Sequence, residues 1–121
     1  MTTKRILIAD DDPLVRDVLR FFLESQSQFK VCGQAVNGLD VIEKARTLSP
    51  DLVVMDVSMP VMNGIEAGSV LKIMLPQVPV ILYTSQDSSM IETHALEIGV
   101  RAVIQKSDIT NFAGHLGKFL S

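Results

Sequence analysis

Five short apolar runs alternate along the chain with five segments whose apolar residues repeat at the helical period. The runs are "RILIA" (5–9), "FKVCGQAV" (29–36), "LVVM" (52–55), "VPVILY" (78–83) and "RAVIQ" (101–105). The stretches Ile6–Ile8, Leu52–Met55 and Val80–Leu82 are continuously apolar, which is typical of central strands in a parallel sheet covered on both faces. The alternation therefore predicts a parallel sheet with helices packed against it.

The helical segments follow the runs in strict order. Their periodic apolar residues lie in 14–23, 39–45, 65–74, 90–98 and 109–120. Pro50, Pro76 and Gly99 fall between predicted elements, as helix-ending residues do. Asp12 directly precedes Pro13, and this pair is typical of an N-cap followed by the first residue of a helix. We predict an α/β fold: a doubly wound (βα)5 sandwich with a five-stranded parallel sheet, one domain over residues 1–121.

Length and composition exclude several classes of protein. The chain has 121 residues, enough for one domain with a proper core. Its net charge of −3 offers no basic surface for nucleic acid or an anionic membrane. The single cysteine, Cys32, cannot form an internal disulfide. No run approaches the roughly 18 apolar residues of a membrane helix, and the N-terminal run is too short for a signal peptide. We expect a cytoplasmic protein.

Polar side chains follow the strands where the strands end. Asp10 and Asp11 follow the first run and Asp56 the third, while Thr84 follows the fourth and Lys106 the fifth. Because the carboxyl ends of parallel strands meet at one edge of the sheet, these residues are predicted to converge there. One aspartate at a strand end would be read as a turn or cap residue. Three of them with a lysine indicate a metal or catalytic site.

The residue types at this edge suit phosphoryl chemistry. Clustered carboxylates suit Mg²⁺, which binds proteins through one or two carboxylates and keeps water and phosphate oxygens as its other ligands. An ammonium group and a hydroxyl suit the oxygens of an incoming phosphoryl group. A central carboxylate can then act as the nucleophile and form an aspartyl phosphate.

Four stretches of the sequence resemble the receiver domain of two-component response regulators, the chemotaxis-regulator-like domain of bacterial signalling. They are "ILIADDDPLVR", "AVNGLDVIEKARTLSPDLVVMDVSMPVMNGIEA", "VILYTS" and "GVRAVIQK". The resemblance covers essentially the whole chain. It implies a flavodoxin-like fold with strand order 2-1-3-4-5. It also implies a phospho-acceptor domain, which takes a phosphoryl group from a sensor histidine kinase or a small phosphodonor. Such a domain is not an enzyme that acts on other substrates, because it catalyses only its own phosphorylation and dephosphorylation.

The resemblance also implies roles for individual residues. Asp56 matches the phospho-acceptor. Asp11 would bind Mg²⁺ directly and Asp10 through water, while the backbone carbonyl of Ser58 would be a further metal ligand.

Two other positions complete the implied catalytic set. Thr84 matches the hydroxyl that hydrogen-bonds the phosphoryl group, and Lys106 matches the family's lysine at the end of the fifth strand.

Two departures from the family pattern concern the output. Val103 stands three residues before the lysine, where Tyr or Phe is common, so an aromatic switch cannot operate there. Tyr83 is near in sequence, but strand alternation is expected to point it away from the side of Thr84. Ser107 replaces the proline that often follows the lysine. The family signals through the face formed by the fourth helix, fifth strand and fifth helix; the route to that face is left open here.

Two other functions stay open at this point. The Asp-x-Asp in "ILIADDDPL" also fits a metal-dependent phosphohydrolase with an aspartate nucleophile, although such enzymes need a cap and a later acidic motif. A degenerate receiver that binds partners without phosphorylation is the third possibility; the full set of acids, threonine and lysine argues against it. An output domain outside the chain, most commonly DNA-binding in this family, and a homodimer are compatible with the sequence.

Overall fold

The computed structural model describes residues 3–86 and 89–108 together with Asn111 and Leu116. Strands and helices alternate in the predicted order. The strands are β1 (Lys4–Ala9), β2 (Phe29–Ala35), β3 (Leu52–Asp56), β4 (Val80–Thr84) and β5 (Ala102–Gln105). The helices are α1 (Pro13–Glu24), α2 (Gly38–Leu48), α3 (Gly64–Met74) and α4 (Ser89–Glu97), and a short 3-10 turn spans Lys106–Asp108.

The five strands form one parallel sheet in the order β2-β1-β3-β4-β5. Both the parallel pairing and the strand order implied by the resemblance are confirmed. The ladder runs slightly further than the apolar runs suggested, because Asp56 pairs with Tyr83 and Thr84 pairs with Gln105. As a result, two of the polar residues belong to the strands themselves rather than to the loops that follow.

Helices cover the sheet on both faces and form two apolar layers. The first layer lies under α2, α3 and α4 and includes Val41, Leu71 and Ala95. The second lies under α1 and includes Leu19 and Leu23. Successive residues of β1, β3 and β4 alternate between these layers, and those strands are fully buried from Ile6, Leu52 and Val80 onward. Burial on both faces is the reason these strands are continuously apolar rather than alternating.

Side-chain caps determine where the helices begin. The Asp12 carboxylate accepts a hydrogen bond of 2.9 Å from the Leu14 N–H, with Pro13 as the first helical residue, so its predicted N-cap role is confirmed. Asn37 caps α2 in the same way, and Asn63 forms a reciprocal capping box with Glu66 at the start of α3. These caps lie at the edge of the sheet where the strands end, so they also fix the loops of that edge.

The fifth predicted helix, at 109–120, falls mostly outside the described residues. Leu116 is described and is fully buried in the second layer beside α1. In the parts of the chain that the structure covers, none of the helices has both the length and the apolar character needed to cross a membrane.

Gly64 brings the start of α3 into close contact with the end of β3. A Cβ atom at this position would lie 2.4 Å from the Asp56 carbonyl oxygen, while the Gly64 N–H donates to Val57 at 2.8 Å. Gly68, one turn later, is less confined: its Cβ would meet the Val100 methyl group at 3.3 Å. Close packing thus accounts for both glycines, but only Gly64 faces rigid backbone.

These contacts predict different effects for the same substitution at two positions of α3. Gly64→Ala is expected to lower the free energy of unfolding by about 2 kcal/mol or more, because the backbone must shift. Gly68→Ala, the matched control, is expected to change it by less than about 1 kcal/mol, since helix propensity offsets the tight contact. Urea denaturation followed by circular dichroism measures both. Equal losses of stability in the two variants would contradict the conclusion that only Gly64 is pressed against rigid backbone.

Candidate functional site

The carboxylates of Asp10, Asp11 and Asp56 meet at the carboxyl edge of the sheet. One oxygen from each lies within 4.8 Å of those of the other two. Asp10 and Asp56 end or follow the adjacent central strands β1 and β3 and are 0% and 6% exposed, whereas Asp11 is open to solvent. The three acids therefore form one pocket with two buried walls and one side that a ligand can approach.

Lys106 lies against the same carboxylates. Its Nζ is 3.4 Å from Asp10 Oδ2 and 3.4 Å from Asp56 Oδ2, although the lysine follows β5 and lies 50 residues after Asp56 in the sequence. Burial alone would lower the pKa of the lysine, but the two carboxylates outweigh burial and raise the pKa of Lys106. The ammonium therefore stays charged and is shared between the two buried acids.

The environment of Asp56 disfavours the ionised form of its carboxyl group. Its burial and the nearby Asp10 charge raise the pKa of the Asp56 carboxyl. The Ser58 N–H, which donates to Asp56 Oδ1 at 3.2 Å, and the Lys106 ammonium act in the opposite direction. The net result is a buried carboxylate whose negative charge is incompletely compensated by the protein.

Thr84 and Ser58 border the acidic pocket. Thr84 ends β4, next to β3, and is 1% exposed; its Oγ1 accepts a hydrogen bond of 3.1 Å from the Gln86 N–H. Ser58 is exposed, two residues beyond Asp56. Asp12 is engaged as the N-cap of α1. The edge thus brings the predicted acids and Lys106 together, with Thr84 on the neighbouring strand.

Tyr83 is a polar contact of the pocket that sequence reasoning missed. Its ring lies in the second apolar layer, on the face that strand alternation indicates, yet its hydroxyl donates to Asp10 Oδ2 at 2.8 Å. The available signal was a tyrosine at the end of an otherwise apolar strand. The Tyr83 hydroxyl reaches the end of β1 only because of the orientation of the side chain. Alternation predicts the face of the sheet but not that orientation.

The donor set fits a divalent cation. Oxygens on opposite sides of a Mg²⁺ ion lie about 4.2 Å apart and oxygens of neighbouring ligands lie closer, so carboxylates within 4.8 Å need only small rotations to share one. Hard oxygen ligands favour Mg²⁺, Ca²⁺ or Mn²⁺ over softer metals. A cation here would offset the uncompensated charge on Asp56. The Lys106 ammonium, which also lies beside Asp56, could then bind an anionic group that reaches the pocket.

Comparison with known proteins agrees with this geometry. Residues 6–112 match the family described as the response regulator receiver domain. The chain is 37% identical over 102 residues to the transcriptional regulatory protein LnrK of Bacillus subtilis, an alignment that covers 84% of this chain and 46% of that protein. It is 37% identical over 105 residues to the response regulator VraR of Staphylococcus aureus, covering 87% and 50%.

A solved structure shares the whole fold. The two-component response regulator of the LuxR family from Aurantimonas superposes with a TM-score of 0.92 and 28% identity, over 98% of this chain and 86% of that one. The chain spans about half the length of the curated relatives it matches. On its sequence match, its strand order and its edge of acids and lysine, the chain belongs to the receiver domain family of two-component response regulators.

Proposed function

We propose that the chain accepts a phosphoryl group on Asp56 from the phosphohistidine of a sensor histidine kinase, in a reaction that requires Mg²⁺. The observation that carries the proposal is the position of Lys106 Nζ, 3.4 Å from both Asp56 and Asp10, beside three carboxylates within 4.8 Å of one another. A phospho-acceptor needs a nucleophilic carboxylate next to cationic groups, and Asp56 has that setting.

Each residue has a defined part in the proposed reaction. An Asp56 carboxylate oxygen attacks phosphorus, the phosphorus–nitrogen bond breaks, and the imidazole leaves with the electron pair. Lys106 balances charge on the phosphoryl oxygens, and the Thr84 hydroxyl donates a hydrogen bond to one of them. Asp10, Asp11, Asp56 and the Ser58 carbonyl would hold Mg²⁺, which neutralises charge on the transferred group when bound.

Two alternatives receive less support. A phosphohydrolase of the aspartate-nucleophile type would use an acid after β1 as nucleophile. Asp10, the buried acid after β1, is as near to Lys106 as Asp56 is, but both of its carboxylate oxygens already accept hydrogen bonds, Oδ1 from the Asp12 N–H and Oδ2 from the Tyr83 hydroxyl. A receiver that binds partners without phosphorylation would have no need for a costly buried Asp56 beside Asp10.

Partners and location follow from the same proposal. A sensor histidine kinase is the donor, and the protein acts in the cytoplasm. LnrK is named a transcriptional regulatory protein, and the chain spans 46% of it, so we propose a DNA-binding output domain in the full-length protein. The receiver itself, with a net charge of −3, is not expected to bind DNA. Homodimerisation stays a prediction.

The proposed output surface comprises α4, β5 and the predicted fifth helix. Val103, at the position where an aromatic residue is common, is a half-buried aliphatic residue packed on the first apolar layer. Another connection is present: Gln105 of β5 donates to the Gln86 carbonyl at 3.2 Å, and the Gln86 N–H donates to Thr84. A Thr84 hydroxyl that turns toward a phosphoryl group would release Gln86 and so alter the contact with β5.

Phosphorylation of Asp56 is directly measurable. Incubation with a small phosphodonor and Mg²⁺ is expected to add about 80 Da, located on Asp56 by peptide mass spectrometry, because this carboxylate lies beside the Lys106 ammonium and the proposed metal site. Asp56→Asn and omission of Mg²⁺ serve as controls and should abolish the addition. Turnover of an external phosphate ester would favour the phosphohydrolase, and no reaction under any condition would favour the degenerate receiver.

Lys106 should affect the transfer step more than metal binding. Lys106→Ala is expected to slow phosphorylation about 100-fold, since it removes a cationic group at the reacting oxygens, while Mg²⁺ affinity stays within about threefold. Stopped assays with the phosphodonor and calorimetric Mg²⁺ titration give the two values. Lys44→Ala, on α2, is the matched control and should alter neither. Unchanged phosphorylation in Lys106→Ala would contradict the role.

The charge on Asp56 predicts an effect on stability. In Mg²⁺-free buffer, Asp56→Asn is expected to raise stability by about 1 kcal/mol, or roughly 4 °C in Tm, because it removes a buried charge next to Asp10. Mg²⁺ is expected to raise the Tm of the unmodified protein but not of this variant. Asp17→Asn on the exposed face of α1 is the control, expected to stay within about 0.5 kcal/mol. A lower Tm for Asp56→Asn without Mg²⁺ would contradict the prediction.

A further inference from the structure

Tyr83 places its hydroxyl among the backbone and acidic groups at the end of β1. The side chain is 1% exposed, and its oxygen is 2.8 Å from Asp10 Oδ2 and 3.1 Å from the Ala9 carbonyl oxygen. A phenol has one proton to donate. The carboxylate is both nearer and charged, and a hydrogen bond to a charged acceptor is the stronger of the two. Tyr83 therefore serves chiefly as a donor to Asp10.

The same side chain contacts the lysine of the pocket. Lys106 Nζ lies 5.7 Å from the centre of the Tyr83 ring, within the range of a cation–π interaction. Burial, the first cause, and the Asp10 charge raise the pKa of the Tyr83 hydroxyl above its ordinary value. Tyr83, which is not among the site residues predicted from the sequence, thus contacts both Asp10 and Lys106.

The Asp10 carboxylate is held by these contacts. Its Oδ1 accepts the Asp12 N–H at 2.9 Å, while its Oδ2 accepts the Tyr83 hydroxyl and faces Lys106. Without the hydroxyl, Oδ2 would lose its shortest hydrogen bond and the ammonium would remain as its cationic partner. A closer Asp10–Lys106 pair would change the orientation of the Asp10 carboxylate and draw the ammonium from Asp56.

We propose that Tyr83 is a positioning residue of the acidic pocket: its hydroxyl fixes the Asp10 carboxylate in the orientation that a divalent cation requires and keeps Lys106 shared between Asp10 and Asp56. The inference rests on the proposed Mg²⁺-dependent function. It concerns orientation of the ligands, since metal-binding carboxylates depend on hydrogen-bond partners of this kind.

Removal of the hydroxyl alone tests the proposal. Tyr83→Phe keeps the buried ring, and it is expected to raise the Kd for Mg²⁺ about tenfold, measured by calorimetry. The rise in Tm produced by a fixed Mg²⁺ concentration should shrink accordingly. Thr47→Val is the matched control: it removes a hydroxyl that donates to the Glu43 carbonyl on α2, and it should leave the Mg²⁺ affinity unchanged.

The rise in Tm caused by Mg²⁺ distinguishes a residue that positions the metal ligands from one that only stabilises the fold. If Tyr83 only stabilised the fold, Tyr83→Phe would lower the Tm equally with and without Mg²⁺, and the Kd would not change. That result would overturn the proposal. A Tyr83→Phe variant with a higher Kd, and with near-normal Tm in Mg²⁺-free buffer, would support it.

Tyrosine emission gives a second readout. The chain has one tyrosine and no tryptophan, so its intrinsic emission comes from Tyr83. A phenol hydrogen-bonded to a carboxylate is quenched because its excited state transfers the proton to the acceptor. Mg²⁺ binding, which withdraws charge from Asp10, is therefore expected to raise the emission with the same midpoint as the calorimetric titration. Mg²⁺ binding without any change in emission would contradict the contact.

The proposed Mg²⁺-dependent function and the proposed role of Tyr83 would be refuted by different results. If the unmodified protein binds no Mg²⁺, the proposed metal-dependent function fails and the role of Tyr83 fails with it. If the unmodified protein and Tyr83→Phe bind Mg²⁺ with equal affinity, only the role of Tyr83 is refuted, and phosphorylation of Asp56 remains to be judged by mass spectrometry.

Discussion

The crowding of negative charge at the end of a parallel sheet is the constraint on which the rest of this structure depends. Two like charges about 4 Å apart repel by roughly 4 kcal/mol at an effective dielectric constant near 20. Asp10 and Asp56 are both buried at this edge, and Lys106 is placed between them. The raised pKa of Asp56 reflects the compensation that is still missing. A divalent cation bound at this edge would reduce the imbalance.

Much of the fold could be predicted from the sequence for a simple physical reason. Strands buried on both faces must be apolar at successive positions, and this made β1, β3 and β4 recognisable. Parallel pairing then placed residues as distant as Asp10 and Lys106 at one edge. The order of the strands was different: periodicity does not specify neighbours, and the order came from the family resemblance before the structure confirmed it.

The details of the site were harder to predict because they depend on where side-chain tips end. Alternation correctly put the Tyr83 ring on the face opposite to the first apolar layer, but the position of its hydroxyl depends on the length and rotamer of the side chain. The connection from Gln105 to Gln86 is equally invisible in a pattern of apolar and polar residues, since it joins a side chain to a backbone carbonyl in a neighbouring loop. Both contacts follow from the relative placement of strands rather than from local sequence.

The contact between Gly64 and the Asp56 backbone makes the two flanks of Asp56 mechanically unequal. On the α3 flank, the chain is pressed against the Asp56 carbonyl and tied to Val57 by a main-chain hydrogen bond, so this side is stiff. On the α4 flank, the segment after Thr84 is tied through the side chains of Thr84 and Gln105, so this side is compliant. A group added to Asp56 would therefore displace the compliant flank first. The glycine, although it is not one of the proposed ligands, would then set the direction of the movement.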